Sequence, residues 1–498
     1  MTTHAARPGT VSRSLARNRI GKPAVLSFIL AAVAPLTVAA GLITSAYAVT
    51  GLTGIPAAFI VVAVILAVFA AGYTAMSRHL THAGAFYSFI AAGLGRVPGT
   101  AAALVALGAY SCLQIALYGM LGPFAATQAA AHFGVHAPWW QFALGAWALI
   151  TVLGLLRVDI TGRVLATLTG AEILVIGALT VAGLSHPAGG HLTLRPLSPA
   201  GLTAGGWGTA GVLAVIAVLG CSGFEQAPVL SEEARNPRRT IPVTTYAALG
   251  LIAVMYGGSA WAIAAHAGIG QVTAAAGQQG PALLFGLGGA GFLAQAAQWL
   301  FLTSLFAAAL AFHNACWRYG FAAGREGVLP GRLGCTGANS IPRAASLAQS
   351  GTALAVIVIF AAGHLPPVTG LFFDLGTTGG FGILVLLAVT SLAVIGFFAR
   401  DRHGEKSWSR LIAPAIAAVI LGALAVLAVL HYATLLGVPP ASPAAWALPA
   451  SYAAITVIGL AWGLILKHRR PDIYASIGLG PYAVTGQADP VLASRTRS

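Results

Sequence analysis

Residues 220–242 read GCSGFEQAPVLSEEARNPRRTIP and follow the apolar run GTAGVLAVIAVL at 208–219. Two glycines, a proline and Glu225 therefore interrupt a segment whose neighbours predict a hydrophobic helix. A patch with both signs of charge comes next, at 232–239, and its acidic pair is expected to neutralise the arginines of the same patch. Helix breakers and a carboxyl inside an apolar segment are tolerated only where their polar groups find partners. The surroundings of this stretch therefore decide how the chain folds.

The composition indicates that these surroundings are a lipid bilayer. The chain has 498 residues, of which 58% are hydrophobic and 7% charged, and its mean hydropathy is +0.85. A soluble protein carries about 25% charged residues, so this chain cannot cover its surface with charge. The four cysteines, at positions 112, 221, 316 and 335, lack CxxC spacing and predict neither a disulfide framework nor a zinc site. No metal and no other cofactor is expected.

Twelve apolar stretches are long enough to be membrane spans, since a span needs about 18 or more such residues. The first follows a polar, basic segment and is too long for the core of a cleavable signal peptide, so we expect it to stay in the protein. The twelve spans are 24–51, 54–74, 98–130, 139–156, 162–184, 207–230, 242–267, 289–317, 344–362, 369–398, 411–433 and 446–466.

The basic residues predict the orientation, because cytoplasmic loops carry an excess of Lys and Arg. With the amino terminus inside, all but one of the 26 Lys and Arg residues fall on the cytoplasmic side, and Arg195 alone lies outside. Both termini are therefore predicted to be cytoplasmic. The net charge of +15 is explained as a topology signal, and no nucleic-acid partner is needed.

Two spans combine helix breakers with polar residues near mid-depth. They contain AAGLITSAYAVTG at 39–51 and GCSGFE at 220–225, and each opens a block of five spans. Paired interruptions of this kind are typical of inverted-repeat transporters with a site at mid-membrane; the alternative is that the glycines only allow close helix packing. The predicted fold is an all-α polytopic membrane protein with 12 transmembrane helices, a five-plus-five inverted repeat and two additional carboxyl-terminal helices. Its divisions are a cytoplasmic basic tail at 1–23, spans 1–5 at 24–184, spans 6–10 at 207–398, spans 11–12 at 411–466 and a cytoplasmic tail at 467–498.

An interrupted membrane helix offers two kinds of binding group. Freed N–H groups where a half-helix starts suit a carboxylate, and freed carbonyls where a half-helix ends suit an ammonium. A zwitterion needs both. Ionisable residues in spans are hypotheses of function, so Glu172 and Glu225 are candidate coupling groups, the alternative being carboxyls that only join helices by hydrogen bonds. Asp374 is interpreted as a structural cap, and Tyr110, Gln114 and Tyr118 share one face of span 3.

Two stretches carry a family resemblance. GFEQAPVLSEEARNPRRTIP (223–242) resembles the helix 6 signature of the amino acid–polyamine–organocation permease superfamily, and FHNACWRYGFAAGREGVLP (312–330) resembles that superfamily's helix 8 and the loop after it. Both motifs are long, and they occur in the family's order. The resemblance covers about residues 24–467 and is closest to the bacterial amino acid permeases.

The resemblance implies a five-plus-five repeat and secondary transport of an amino acid. In such permeases the unwound part of helix 1 binds the substrate carboxylate through backbone donors, and helix 6 carbonyls receive the amino group. The helix 1 segment usually reads G-S-G-I-F, and this chain lacks both glycines. Glu172 lies where some relatives have a Lys that acts in proton coupling. The implied substrate-binding residues are Ile43, Thr44, Ser45, Ala46 and Tyr47 in helix 1 and Gly220, Cys221, Ser222 and Gly223 in helix 6, to which we add Tyr110 and Gln114.

The sequence thus predicts a proton-coupled or exchanging amino acid permease of the cytoplasmic membrane. Its partners would be a small-molecule substrate, the proton and the lipid bilayer. A transporter of polyamines or other small amines is the alternative, and sodium coupling through Thr303 and Ser304 ranks below proton coupling. An enzyme is not favoured, because the chain has no HExxH, GxSxG or clustered metal ligands, and a sensor is not favoured because no soluble signalling domain is attached.

Overall fold

The structure is a computed structural model and describes residues 15–337, 340–481 and 483. Its regular secondary structure in these ranges is helical. Within these ranges there is no strand, and an isolated parallel bridge joins Ile20 and Ala234. The α-helices are α1 Lys22–Val33, α2 Pro35–Thr37, α3 Ile43–Thr50, α4 Ile55–Ser77, α5 Ala85–Leu94, α6 Arg96–Phe133, α7 Trp139–Gly154, α8 Val158–Ser185, α9 Gly206–Gly220, α10 Pro237–Ala267, α11 Val272–Gln279, α12 Ala282–Phe285, α13 Phe292–Arg325, α14 Arg343–Ala362, α15 Gly376–Arg400, α16 Ala413–Leu430, α17 Tyr432–Leu436, α18 Pro443–Arg469 and α19 Pro471–Ser476.

The chain is a multi-pass membrane protein. Eleven helical segments of the described residues are long and apolar enough to cross a membrane. The predicted span at 139–156 corresponds to α7, which has 16 residues and measures about 24 Å at 1.5 Å per residue, against a hydrocarbon core of about 30 Å. The count of twelve spans and the inverted repeat therefore stay predictions.

The first span is interrupted at Ala34, nine residues before the segment 43–47 that the family resemblance predicted to be unwound. The helix α1 ends at Val33, and Ala34 adopts a left-handed conformation with φ of 53°. Pro35 explains this break, because proline has no N–H and disfavours the helical conformation of the residue before it. The chain then continues through a π-helix at Val38–Leu42 into the regular helix α3. The unwinding expected at 43–47 is therefore wrong.

The interruption of the sixth span lies where the sequence predicted it. The helix α9 ends at Gly220, a turn follows, and a 3-10 helix runs from Phe224 to Leu230. Gly223 has φ of 120°, and a Cβ at this position would lie 2.8 Å from backbone atoms of both Ala32 and Val33. Only glycine allows this conformation and this approach. The interruptions of the two spans are therefore in direct contact.

Two buried ion pairs join the stretches that carried the family resemblance. Arg325 donates two hydrogen bonds to the Glu232 carboxylate, at 2.7 and 2.8 Å, and the Arg318 Nε donates to Glu233 at 2.7 Å. All four side chains are buried. The acidic pair therefore neutralises arginines at the end of α13, and the expectation that it would neutralise those of its own patch is wrong.

Both ends of the described chain lie on one face of the molecule, which we call the terminal face. Near the amino end, the backbone N–H groups of Arg19 and Ile20 donate to the Glu233 carbonyl, at 2.8 and 3.2 Å. Near the carboxyl end, the N–H groups of Gly478 and Gly480 donate to the Glu326 carboxylate, at 2.7 and 2.6 Å. The chain ends therefore pack on the loops that carry the buried ion pairs.

Candidate functional site

A cavity of about 130 Å³ lies between the two interruptions. Its wall includes Ala32 and Val33 from the last turn of α1, together with Gly220 and Ser222 at the end of α9. The last carbonyls of a helix have no partner within the helix, and they form the negative end of its dipole. The cavity is therefore placed at the negative ends of two half-helices, which suits a positively charged group.

The remainder of the wall is mostly apolar. Leu113, Ala116 and Leu117 of α6 contribute to it, as do Phe312 of α13 and the pair Phe372–Phe373. Thr37 and Thr377 add hydroxyl groups to it. No ionisable side chain occurs among the described residues that line the cavity. Charge on a ligand would therefore be met by backbone dipoles and hydroxyls.

Glu225 holds the interruption of the sixth span in shape. Its side chain is fully buried, with one carboxyl oxygen accepting from the Tyr110 hydroxyl at 2.7 Å and the other from the Gly223 N–H at 2.8 Å. The Tyr73 hydroxyl donates to the Glu225 carbonyl at 2.9 Å. Glu225 therefore satisfies the first free N–H of the second half-helix and lies outside the cavity wall.

Glu172 belongs to α8 and lies beside the start of the second half of span 1. This side chain of α8 is fully buried, and its carboxyl faces the Ser304 hydroxyl and the Leu36 N–H. Neither oxygen has a hydrogen-bond partner of normal geometry among the described residues. Ser304 also accepts from the Thr37 N–H, at 3.3 Å, and from the Thr37 hydroxyl, at 3.1 Å. One hydroxyl group therefore separates Glu172 from a residue of the cavity wall.

The structure brings only part of the predicted site to the cavity. Gly220 and Ser222 line it, and Cys221 and Gly223 lie beside them in the chain without appearing in its wall. The five helix 1 candidates, Ile43, Thr44, Ser45, Ala46 and Tyr47, belong to the regular helix α3.

The other polar candidates are engaged elsewhere. The Tyr47 hydroxyl donates to the Ala260 carbonyl at 2.9 Å. The Gln114 side chain donates to Tyr118 at 2.9 Å and accepts from Gln349 at 2.8 Å. Tyr110 binds Glu225, as described above. In this structure the three side chains connect helices, and their roles in substrate binding stay predictions.

Several features of the site were missed at the level of sequence. The dipeptide Ala34–Pro35 inside an apolar run was a readable signal for a helix break. Phe312 and the Phe372–Phe373 pair looked like ordinary membrane-helix residues, and no local pattern separates cavity-lining aromatics from lipid-facing ones. Ser304 was noted for sodium coupling, whereas the structure places it between Glu172 and Thr37.

The chain was compared with known proteins. A family model described as amino acid permease matches residues 23–461. Two solved structures of Eremococcus coleocola manganese transporter mutants share the fold, with TM-scores of 0.58 and 0.57 at 12% sequence identity. In each comparison the match covers 90% of this chain and 96% of the other. No curated protein sequence matches the chain.

Proposed function

This chain belongs to the amino acid permease family, and we propose that it transports a neutral amino acid with an apolar side chain across the cytoplasmic membrane, coupled to protons. The observation that carries the proposal is the cavity between the two interrupted spans, which combines half-helix ends with an apolar wall. Such a cavity has separate places for the charged and the apolar parts of one small molecule.

The substrate would be held mainly by the backbone. Its ammonium group would lie at the carbonyl ends of α1 and α9, beside Ala32 and Gly220. Its carboxylate would point to the start of the second half of span 1, where Thr37 is part of the wall and where the positive end of the half-helix dipole favours negative charge. Its side chain would contact Leu117 and Phe372, which favour an apolar group.

Glu172 would provide the coupling to protons. An ionised carboxyl beside the Leu36 N–H would repel a substrate carboxylate bound at the same half-helix start, whereas a protonated one would not. Proton binding and substrate binding would therefore strengthen each other, and this reciprocity is a thermodynamic necessity. Because the proton and the substrate would cross the membrane together, a proton gradient would drive accumulation of the substrate.

The alternative substrates are less well matched to the cavity. A polyamine carries several ammonium groups, and each needs a carboxylate or a carbonyl when it leaves water; the described lining residues supply no carboxylate. Manganese is the substrate named for the structural neighbours. In this chain no group of three or more His, Cys, Asp and Glu residues is placed to hold a metal ion within the described part.

The ion pairs of the terminal face would form the closed gate of an alternating-access cycle. Glu232–Arg325 and Glu233–Arg318 close that face, while the cavity wall draws on residues towards the opposite end of the helices, such as Leu42 of span 1 and Thr377 of α15. With both termini in the cytoplasm, the cavity would face outward in this structure. Opening of the gate would require these pairs to separate.

Uptake into proteoliposomes tests the proposal. Purified protein should accumulate leucine or phenylalanine when the lumen is alkaline relative to the outside, and should not accumulate putrescine. No flux of any amino acid or amine would refute the assignment as a transporter.

The variant Glu172→Gln tests the coupling separately. It should abolish gradient-driven accumulation and preserve exchange of substrate across the membrane, because a neutral side chain keeps the site open to the carboxylate. The matched control is Asp401→Asn, which removes an exposed carboxyl on the terminal face and should behave like the wild type. Accumulation at the wild-type level by Glu172→Gln would reject the role of Glu172 and leave the transport proposal intact.

A further inference from the structure

A second and larger cavity, of about 330 Å³, lies on the terminal face between the end of α4 and the start of α10. Three arginines from distant parts of the sequence line it: Arg17, Arg78 and Arg238. The carboxyl-terminal residues Gly478 and Pro481 form another part of its wall. None of these residues takes part in the substrate cavity, so the function of the second cavity is separate.

The charge of this cavity is positive. Arg78 is paired with Glu405 through two hydrogen bonds, at 3.0 and 2.8 Å. Arg17 and Arg238 are exposed, and neither forms an ion pair with a carboxylate of the described residues. Among the described residues of the wall, the one carboxylate is that of Glu232, which accepts both hydrogen bonds from Arg325.

Glu232 remains the counterion of Arg325 and does not neutralise the cavity. Burial alone would raise the pKa of Glu232, but the charge and the hydrogen bonds of Arg325 outweigh that effect and hold the pKa below its usual range. Two arginine side chains are therefore left for an anionic ligand.

The wall is held in place by hydrogen bonds that each involve a backbone group. The Arg235 N–H donates to the Ile20 carbonyl at 2.8 Å, and the Arg235 Nε donates to the Asn18 carbonyl at 3.1 Å. These bonds fix the segment that carries Arg17. On the opposite side, the bonds from Gly478 and Gly480 to Glu326 fix the carboxyl-terminal segment. The cavity is thus formed before any ligand arrives, which reduces the entropy cost of binding.

The position of the cavity indicates a lipid. Arg78 directly follows Ser77, the last residue of the membrane helix α4, and Arg238 lies in the first turn of the membrane helix α10. Further along α10, within the same candidate membrane span, Val243 and Tyr246 are 46% and 42% exposed. The arginines therefore lie at the level of lipid headgroups, with an exposed apolar surface beneath them.

We propose that this cavity binds the phosphate headgroup of an anionic phospholipid, with Arg17 and Arg238 contacting the phosphate and the acyl chains lying along α10. Arginine suits this role because its planar guanidinium can bind phosphate through two parallel hydrogen bonds. Basic cavities at the cytoplasmic ends of membrane helices are general sites for such headgroups. The bound lipid would join the amino-terminal segment, α4, α10 and the carboxyl-terminal segment at one point.

Native mass spectrometry of the full-length protein tests the proposal, with short-chain phosphatidylglycerol, short-chain phosphatidylcholine and glycerol phosphate as probes. The wild type should retain phosphatidylglycerol in preference to phosphatidylcholine. Each arginine near a membrane surface contributes about 1 kcal/mol to the binding of anionic lipid, which is about fivefold in affinity. The double variant Arg17→Gln/Arg238→Gln should therefore bind phosphatidylglycerol about 25-fold more weakly if the two effects add.

The matched control is Arg239→Gln, which removes an exposed charge next to Arg238 that does not line the cavity. It should bind phosphatidylglycerol like the wild type. Unchanged binding by the double variant, or equal retention of phosphatidylcholine by the wild type, would overturn the proposal. Displacement of the lipid by an equal concentration of glycerol phosphate would overturn it as well, since the site would then recognise a soluble phosphate.

Discussion

Replacement of Gly223 by alanine tests whether contact between the two interrupted spans shapes the cavity between them. The added methyl group would lie 2.8 Å from the Ala32 carbonyl carbon and 2.8 Å from the Val33 backbone nitrogen. Both atoms belong to the backbone of α1, so neither can move aside without moving the helix. The variant therefore has to separate the first and sixth spans at the cavity.

The magnitude has two parts. Gly223 has φ of 120°, and a side chain in such a conformation costs about 1–3 kcal/mol. Overpacking of a well-packed interior by one methyl group adds about 1–3 kcal/mol. The sum, about 2–6 kcal/mol, is a large part of the stability of most proteins. We expect a lower thermal midpoint in detergent and loss of substrate uptake.

Gly41→Ala is the matched control for this experiment. Gly41 lies in the segment where the sequence pattern placed the first break, yet nothing lies within 4 Å of a Cβ at that position. Alanine favours a helix by up to about 1 kcal/mol over glycine, so Gly41→Ala should keep uptake and keep or raise the thermal midpoint. The reasoning is refuted if Gly223→Ala retains the midpoint and uptake of the wild type, or if Gly41→Ala is equally damaging.

Three further outcomes follow from the contacts described. Tyr110→Phe removes one donor to the buried carboxyl of Glu225 and should cost about 1–3 kcal/mol, seen as a lower thermal midpoint without loss of the aromatic packing. Arg325→Met leaves Glu232 buried without its partner and should cost about 3–5 kcal/mol, of which Glu232→Gln in the same background should restore a part; no rescue would contradict the pairing. Because the pKa of Glu232 is lowered in the folded protein, its ion pair stabilises the fold above the ordinary glutamate pKa, and this contribution is lost as the pH falls through the lowered value. The thermal midpoint of the wild type should therefore fall on the acid side more steeply than that of Glu232→Gln, and parallel profiles would contradict this.

The sequence predicted the membrane class and the second break, because both depend on local chemistry. Hydrophobic length alone identifies most spans. Gly220 and Gly223 weaken a helix whatever surrounds it. The first break was misplaced because the family pattern was aligned to polar residues at 43–47. The proline at position 35 was the stronger physical signal, since it removes a backbone donor irrespective of the family.

The partners of the acidic groups could not be predicted, because they come from residues distant in the chain. Glu232 and Arg325 are 93 residues apart, and nothing near either residue favours this pairing over one with Arg235. The same holds for Glu225 and Tyr110, which were recognised separately and turned out to share a hydrogen bond. Tertiary packing decides such pairs, and a single sequence carries no record of it.

The buried ion pairs also have a consequence for biosynthesis. Glu232 and Glu233 leave the ribosome 93 and 85 residues ahead of Arg325 and Arg318. Both acids therefore lack their partners while α10 and the helices up to α13 are made. An incomplete chain that ends after α10 leaves both carboxylates without a partner, and proteases in cells degrade chains that do not fold fully. The chain can be produced as two fragments, the first of which ends after α10. This first fragment should be stable only when the second fragment contains α13.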